Sequence, residues 1–184
     1  MQLRDNGLRF SPITIVLHWV VAVALLLILC LGLTISRVSD SALQVELVRV
    51  QNLLGLVLFL VSLYRFWARI TSYHPLPTGT PNPIELIISR SVAVALALAM
   101  VLLPIAVWAS RSAAGEVVGL PGGFLIPALI PVNEEVRHVI DVLFNIGASA
   151  FLAGLALHVF GAVKNHIQLK NNTLKRMLGK KVEL

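Results

Sequence analysis

The sequence predicts an all-α, transmembrane four-helix bundle with both termini in the cytoplasm, and three observations carry that prediction. Of 184 residues, 57% are hydrophobic and only 13% are charged, about half the charge content of a soluble domain. Four apolar runs, about 12–35, 49–70, 84–110 and 136–163, are near or above the roughly 20 residues that a spanning helix needs. They are continuous and do not alternate, so they do not read as the strands of a membrane barrel. Charge sets the orientation. The side holding the N-terminus, second loop and C-terminus carries eleven Lys and Arg against Asp5, Glu85 and Glu183, a net +8, whereas the other side is net −2. The positive-inside rule then puts both termini of this multi-pass protein in the cytoplasm. The high isoelectric point reflects this topology and attraction to anionic lipid, not nucleic-acid binding.

Each element follows in order. The polar leader Met1–Ser11 has no small-residue cleavage site, and the apolar run after it is too long for a signal peptide, so none is expected. Span one, Pro12–Ile35, holds His18, Trp19 and Cys30; the single cysteine lies mid-helix and indicates no disulfide or thiol chemistry. Loop one, Ser36–Val48, is short and external. Span two, Arg49–Ile70, contains Gly55 and ends with Arg65 and Arg69. Loop two, Thr71–Pro83, carries four prolines that forbid helix and leave an extended connection. Span three, Ile84–Ser110, alternates alanines from Ala93 to Ala99, which favours close helix approach, and Pro104 is expected to kink it. Loop three, Arg111–Glu135, has a Pro-Gly-Gly turn and an apolar stretch suited to the outer interface or to a partner. Span four, Val136–Val163, carries Gly147 and Gly154 as further packing positions. The basic tail 164–184, with Leu169, Leu174 and Leu178, suits a short helix on the inner leaflet. Trp19, Trp67 and Trp108 fall near helix ends and read as interfacial anchors. No repeat or linker interrupts residues 1–184, which form one membrane domain on this reading.

The histidines carry the chemistry. His18 lies six residues into span one, about 9 Å, and His158 five residues from the end of span four, about 8 Å. Four spans return the last helix to the side where the first began, so the two imidazoles are expected at similar depth. An ionisable side chain in hydrocarbon is a functional-site hypothesis by default, and a depth-matched imidazole pair suits axial ligation of one haem iron. The alternative for either residue alone is a polar side chain bonded to a neighbouring helix. Arg65, a turn deeper than Arg69, is expected near the haem propionates, which it can bind bidentately; as a positive-inside residue it needs no further account. His166, at the inner surface beside Lys164, is a candidate for a quinone carbonyl, or an ordinary interfacial residue. His138, beside Glu134, Glu135 and Arg137, reads as a solvated helix end, and His74 as an exposed loop residue.

The chain resembles the bacterial cytochrome b561 family of four-helix di-haem cytochromes over nearly its whole length. The likeness rests on Leu17-His18-Trp19, Gly55 and Arg65 in span two, Pro104 in span three, and the string from Asn172 to Leu178. The resemblance implies one haem near the cytoplasmic face between His18 and His158. It also implies a second haem between histidines early in spans two and four, but those positions are Gln51 and Phe144 here. His138 is six residues from Phe144, about 9 Å along the axis and turned by about 240°, so it does not substitute. One haem b is therefore expected, about 21 Å along the helix axis from where an outer one would lie.

These readings converge on electron transfer through one bis-histidine haem, with a membrane quinone or the cofactor of a respiratory-complex subunit as partner. A quinone-linked oxidoreductase is the enzyme class they admit. The alternative is a non-catalytic accessory subunit of a respiratory complex, a hetero-oligomer docked through the outer loop 119–132. A transporter fits poorly, since no discontinuous helix pair or midplane carboxylate is present.

Overall fold

The computed structural model describes residues 5–6, 9–73, 75, 77 and 82–180. Four long helices dominate: α1 (Pro12–Ile35), α2 (Ser41–Thr71), α3 (Pro83–Ala113) and α4 (Glu134–Ile167). All four are long and apolar enough to cross a membrane. A two-stranded antiparallel ribbon, β1 (Val118–Gly119) with β2 (Leu125–Ile126), lies between α3 and α4, and a short α5 (Thr173–Met177) follows α4.

Helix starts are set by polar caps, which satisfy the amide donors that a first turn leaves over. Thr14 N donates to Ser11 Oγ at 3.1 Å, ahead of α1. Asp40 Oδ1 accepts from Ala42 N and Leu43 N at 2.9 and 3.1 Å, ahead of α2. Asn82 caps α3 through Ile84 N at 2.9 Å, with Pro83 at the first helical position, where a missing N–H costs nothing. Asn133 caps α4 through Val136 N at 3.0 Å, and Glu134 and Glu135 put negative charge at its positive end.

The caps correct two sequence boundaries. Span two was expected from Arg49, but α2 begins eight residues earlier, at Ser41, so loop one shrinks to 36–40. Hydropathy measures the thickness of the slab, whereas Asp40 stops the helix beyond it. The extra turns carry Gln44 and Glu46, and Arg49 pairs with Glu46 along the same helix face. The tail differs as well. Helix α4 continues to Ile167, Lys170 then takes a positive φ of 48°, and only Thr173–Met177 is helical again, leaving Leu169 and Leu178 exposed. Helix α3 runs unbroken through Pro104.

The chain forms two compact units. The first comprises residues 1–20, 63–99 and 149–184, and so holds the parts that charge assigns to the cytoplasm. In it Lys164 Nζ meets Glu85 Oε1 at 2.8 Å, joining the end of α4 to the start of α3. Trp19 Nε1 donates to Met177 O at 2.8 Å, and the Arg176 guanidinium lies 5.7 Å from the Phe10 ring centre. Burial pushes Arg176 below its ordinary pKa. Gly154 approaches Leu96 closely enough that an added Cβ would stand 3.4 Å from it.

The second unit comprises residues 21–62 and 100–148. Loop three, expected to carry a Pro-Gly-Gly turn, folds here into the ribbon, with Val118 opposite Ile126 and Gly119 opposite Leu125. Leu120 N closes it onto Phe124 O at 2.8 Å across Pro121–Gly123, where Gly122 and Gly123 hold φ of 78° and 82°; only glycine takes such values without strain. Asn52 Nδ2 donates to Gly119 O at 2.9 Å, Trp108 Nε1 to Pro127 O at 2.9 Å, and Leu129 N to Ser112 Oγ at 2.9 Å. Ser110 and Asp141 hydrogen-bond between α3 and α4.

The cap on α2 makes a direct prediction. Asp40→Ala should destabilise the protein by about 1 kcal/mol, lowering the melting temperature by roughly 2–4 °C, while Asp40→Ser should restore it. Helical circular dichroism during heating reads both outcomes.

Candidate functional site

The site begins with the entry of α1. Asp5 Oδ1 accepts from Ser11 N at 2.7 Å and from the Thr14 hydroxyl at 2.8 Å, which anchors the first turn and with it the register of the helix. His18 follows a turn and a half later. Helix α4 approaches from the other direction and brings His158 opposite, with ring centres 6.1 Å apart and planes inclined at 56°. The Trp19 ring stands edge-on to His18 at 5.5 Å. Both imidazoles are half-buried. The two histidines that sequence spacing pairs by depth are therefore neighbours.

Arg65 completes the group from α2. Its Nη2 lies 3.4 Å from His18 Nδ1, and its Nη1 donates to Leu17 O at 3.5 Å. Guanidinium only donates, so a hydrogen bond to His18 requires an unprotonated Nδ1. Both contacts are at the outer limit of hydrogen bonding. Among the described residues no carboxylate lies within ion-pair distance of Arg65. A half-buried cation held only by weak acceptors suits an incoming carboxylate.

The donor set can be tested against a metal. Two metal–imidazole bonds of about 2 Å each, together with the two ring radii, span about 6 Å, and the observed 6.1 Å fits. Among the described residues no three His, Cys, Asp or Glu side chains gather into a metal cluster. The pair therefore suits a metal whose remaining ligands come with a cofactor. Haem is such a group, since its macrocycle supplies four nitrogens and its propionates supply the acids that Arg65 lacks.

The remaining candidates lie elsewhere. His166 is exposed in the last turn of α4, eight residues beyond His158 and roughly 12 Å along the axis. His138 is exposed at the start of α4 beside Glu134 and Glu135, as expected of a solvated helix end. His74 lies outside the described residues, as do Arg4, Lys181 and Glu183. Gln51 is engaged: its Nε2 donates to Ile28 O at 3.0 Å, and it packs where an added Cβ on Gly32 would stand 3.2 Å away. Phe144 is half-buried on α4.

A four-span helical membrane protein with facing imidazoles on its first and last helices has the donor set of a membrane b-type cytochrome. The chain belongs to the prokaryotic cytochrome b561 family, whose sequence profile matches residues 9–180. It is 26% identical to cytochrome b561 homolog 2 of Escherichia coli strain K12 over 181 residues, covering 98% of this chain and 96% of that relative. It is accordingly a multi-pass, haem-binding electron-transfer protein of the bacterial inner membrane.

Sequence reasoning missed several contacts. Trp19 reads as an interfacial anchor, yet its indole also ties the tail to α1. No pattern in the chain announces that bond, because the acceptor is a backbone carbonyl 158 residues away. The bond from Gln51 to α1 is equally silent, although a lone amide inside an apolar span signals that some partner exists.

Gln51→Leu should lower stability by about 0.6 kcal/mol, a typical interhelical hydrogen bond in a membrane, and leave haem content unchanged. Loss of haem absorbance in this variant would show that Gln51 acts in cofactor binding.

Proposed function

We propose that the chain transfers electrons through a single b-type haem near the cytoplasmic face, with His18 and His158 as its axial ligands. Its exchange partner is a membrane quinone or the cofactor of a larger respiratory complex. The imidazole pair at 6.1 Å is the observation that carries this reading. When bound, the haem supplies a one-electron iron couple whose potential follows its ligands and nearby charges.

The side chains do the rest. His18 and His158 offer neutral ring nitrogens. Arg65, which now reaches only His18 Nδ1 and Leu17 O at 3.4–3.5 Å, would hold a propionate of the bound haem. Trp19, packed against His18, limits rotation of that ring. His166, exposed at the end of α4, is the position assigned to a quinone carbonyl. Gln51, bonded to Ile28 O, and the hydrocarbon ring of Phe144 offer no axial pair, which supports one haem over two.

Haem stoichiometry is the decisive experiment. Pyridine haemochrome analysis of the purified protein should give one haem per chain, and two would overturn the reading. His18→Ala or His158→Ala should abolish haem binding, whereas His138→Ala should leave the reduced spectrum unchanged. Haem retained in both ligand variants would remove the assignment.

Arg65 makes a separate prediction. Arg65→Gln should retain haem but lower its midpoint potential, because a nearby cation favours the reduced iron. An unchanged potential in a redox titration would remove Arg65 from the site.

One observation favours a second reading, an accessory subunit docked through loop 119–132. The ribbon is tied down by hydrogen bonds, yet Phe124, Leu125 and Val132 are 72%, 67% and 72% exposed. Quinol oxidation by the isolated protein supports the first reading. Stable co-purification with a larger complex, without turnover, supports the second.

A further inference from the structure

The first unit also contains a groove that the haem site does not use. On α2, Phe66, Arg69 and Ile70 lie at helical spacing on one face; on α3, Arg90, Val94 and Ala97 do the same, and the two faces line an open groove of about 330 Å³. That volume is at the lower end of the roughly 300–1,000 Å³ of small-ligand sites. The groove is graded along its length. Helix α2 ends and α3 begins at the cytoplasmic side, so Arg69 and Arg90 stand toward that end. Phe66, Val94 and Ala97 continue into the membrane, and Ala97 leaves room between the helices.

The two guanidinium groups are close enough for their charges to interact, and Asp5 acts on Arg69 as well. Among the described residues, however, no carboxylate comes within ion-pair distance of either arginine. Two cations of like sign at the head of an apolar channel call for a shared anion, and the channel below calls for a hydrocarbon tail.

We infer that this groove binds an anionic phospholipid of the inner leaflet, with Arg69 and Arg90 holding its phosphate and Phe66, Ile70, Val94 and Ala97 walling one acyl chain. The charge complementarity is direct, because the cytoplasmic leaflet is the anionic one and basic pockets between spanning helices on that side recognise lipid head groups. Arginine suits the role, since its fork matches phosphate oxygens and its long stem lies along apolar surface while the head reaches the interface. This assignment is independent of haem number and of Arg65.

Native mass spectrometry of the haem-loaded full chain in mild detergent tests the inference, with dioleoyl phosphatidylglycerol and dioleoyl phosphatidylcholine as probes. The chain should retain about thirtyfold more phosphatidylglycerol, as expected for two basic side chains at an anionic head group. Arg69→Gln with Arg90→Gln should reduce retention to the phosphatidylcholine level while the haem absorbance persists. Val94→Trp, which fills the groove without touching its charge, should also abolish retention, and this variant decides the matter if the arginine pair proves necessary for folding. Inorganic phosphate should not displace the lipid, because the tail contributes to binding. Equal retention of the two lipids, a preference surviving in the double variant or in Val94→Trp, or displacement by inorganic phosphate would each overturn the inference.

Discussion

Hydrocarbon supplies no hydrogen-bond partners, so every polar group inside the membrane must find one within the protein or its cofactor. That constraint organises this chain. The backbone meets it with four helices, each opened by a Ser, Asp or Asn cap. The side chains meet it one by one: Gln51 on the carbonyl of Ile28, Ser110 on Asp141, Trp108 on Pro127 O. His18, His158 and Arg65 meet it only in part. Their contacts with one another are long and tilted, and among the described residues the buried Ser62 hydroxyl on α2 also lacks a partner.

Within the first unit, the imidazole pair and the tail share one helix turn of α1. His18 faces His158, while its neighbour Trp19 holds Met177 O. The string from Asn172 to Leu178 is therefore more than a basic stretch attracted to lipid. It is fastened to the helix that carries a proposed ligand, and Arg176 is buried beside Phe10. A family signature so far from the histidines in sequence gains a physical reason: it braces the entry of α1.

The second unit shows a different economy. Gln51 joins α2 to α1 through the carbonyl of Ile28, and Phe144 is half-buried on α4. A glutamine bonded to a neighbouring backbone gives back part of the interhelical adhesion that a shared cofactor would supply. The ribbon between α3 and α4 adds further ties through Asn52, Trp108 and Ser112. Its apolar edge remains outward. On the proposed one-haem reading, an electron arriving from outside would need a partner's cofactor, and the exposed apolar edge of loop three is where the proposed partner would seat.

Composition and pattern alone determined the number of spans, their orientation and the depth of the two histidines. These follow from slab thickness, charge asymmetry and the fixed rise of a helix, all local or one-dimensional properties. The caps at Asp40, Asn82 and Asn133 emerged only from the structure, because hydropathy hid how far α2 extends past the membrane. Tertiary structure decided the rest. It put His158 against His18 at 6.1 Å, sent the Trp19 indole to a distant carbonyl, and folded loop three into a ribbon. It also set Arg69 beside Arg90 across two helices. Depth is written along the chain, but rotation of one helix about its neighbour is not. That angle emerges only when all four helices pack together, because small residues, caps and interhelical hydrogen bonds must be satisfied at once.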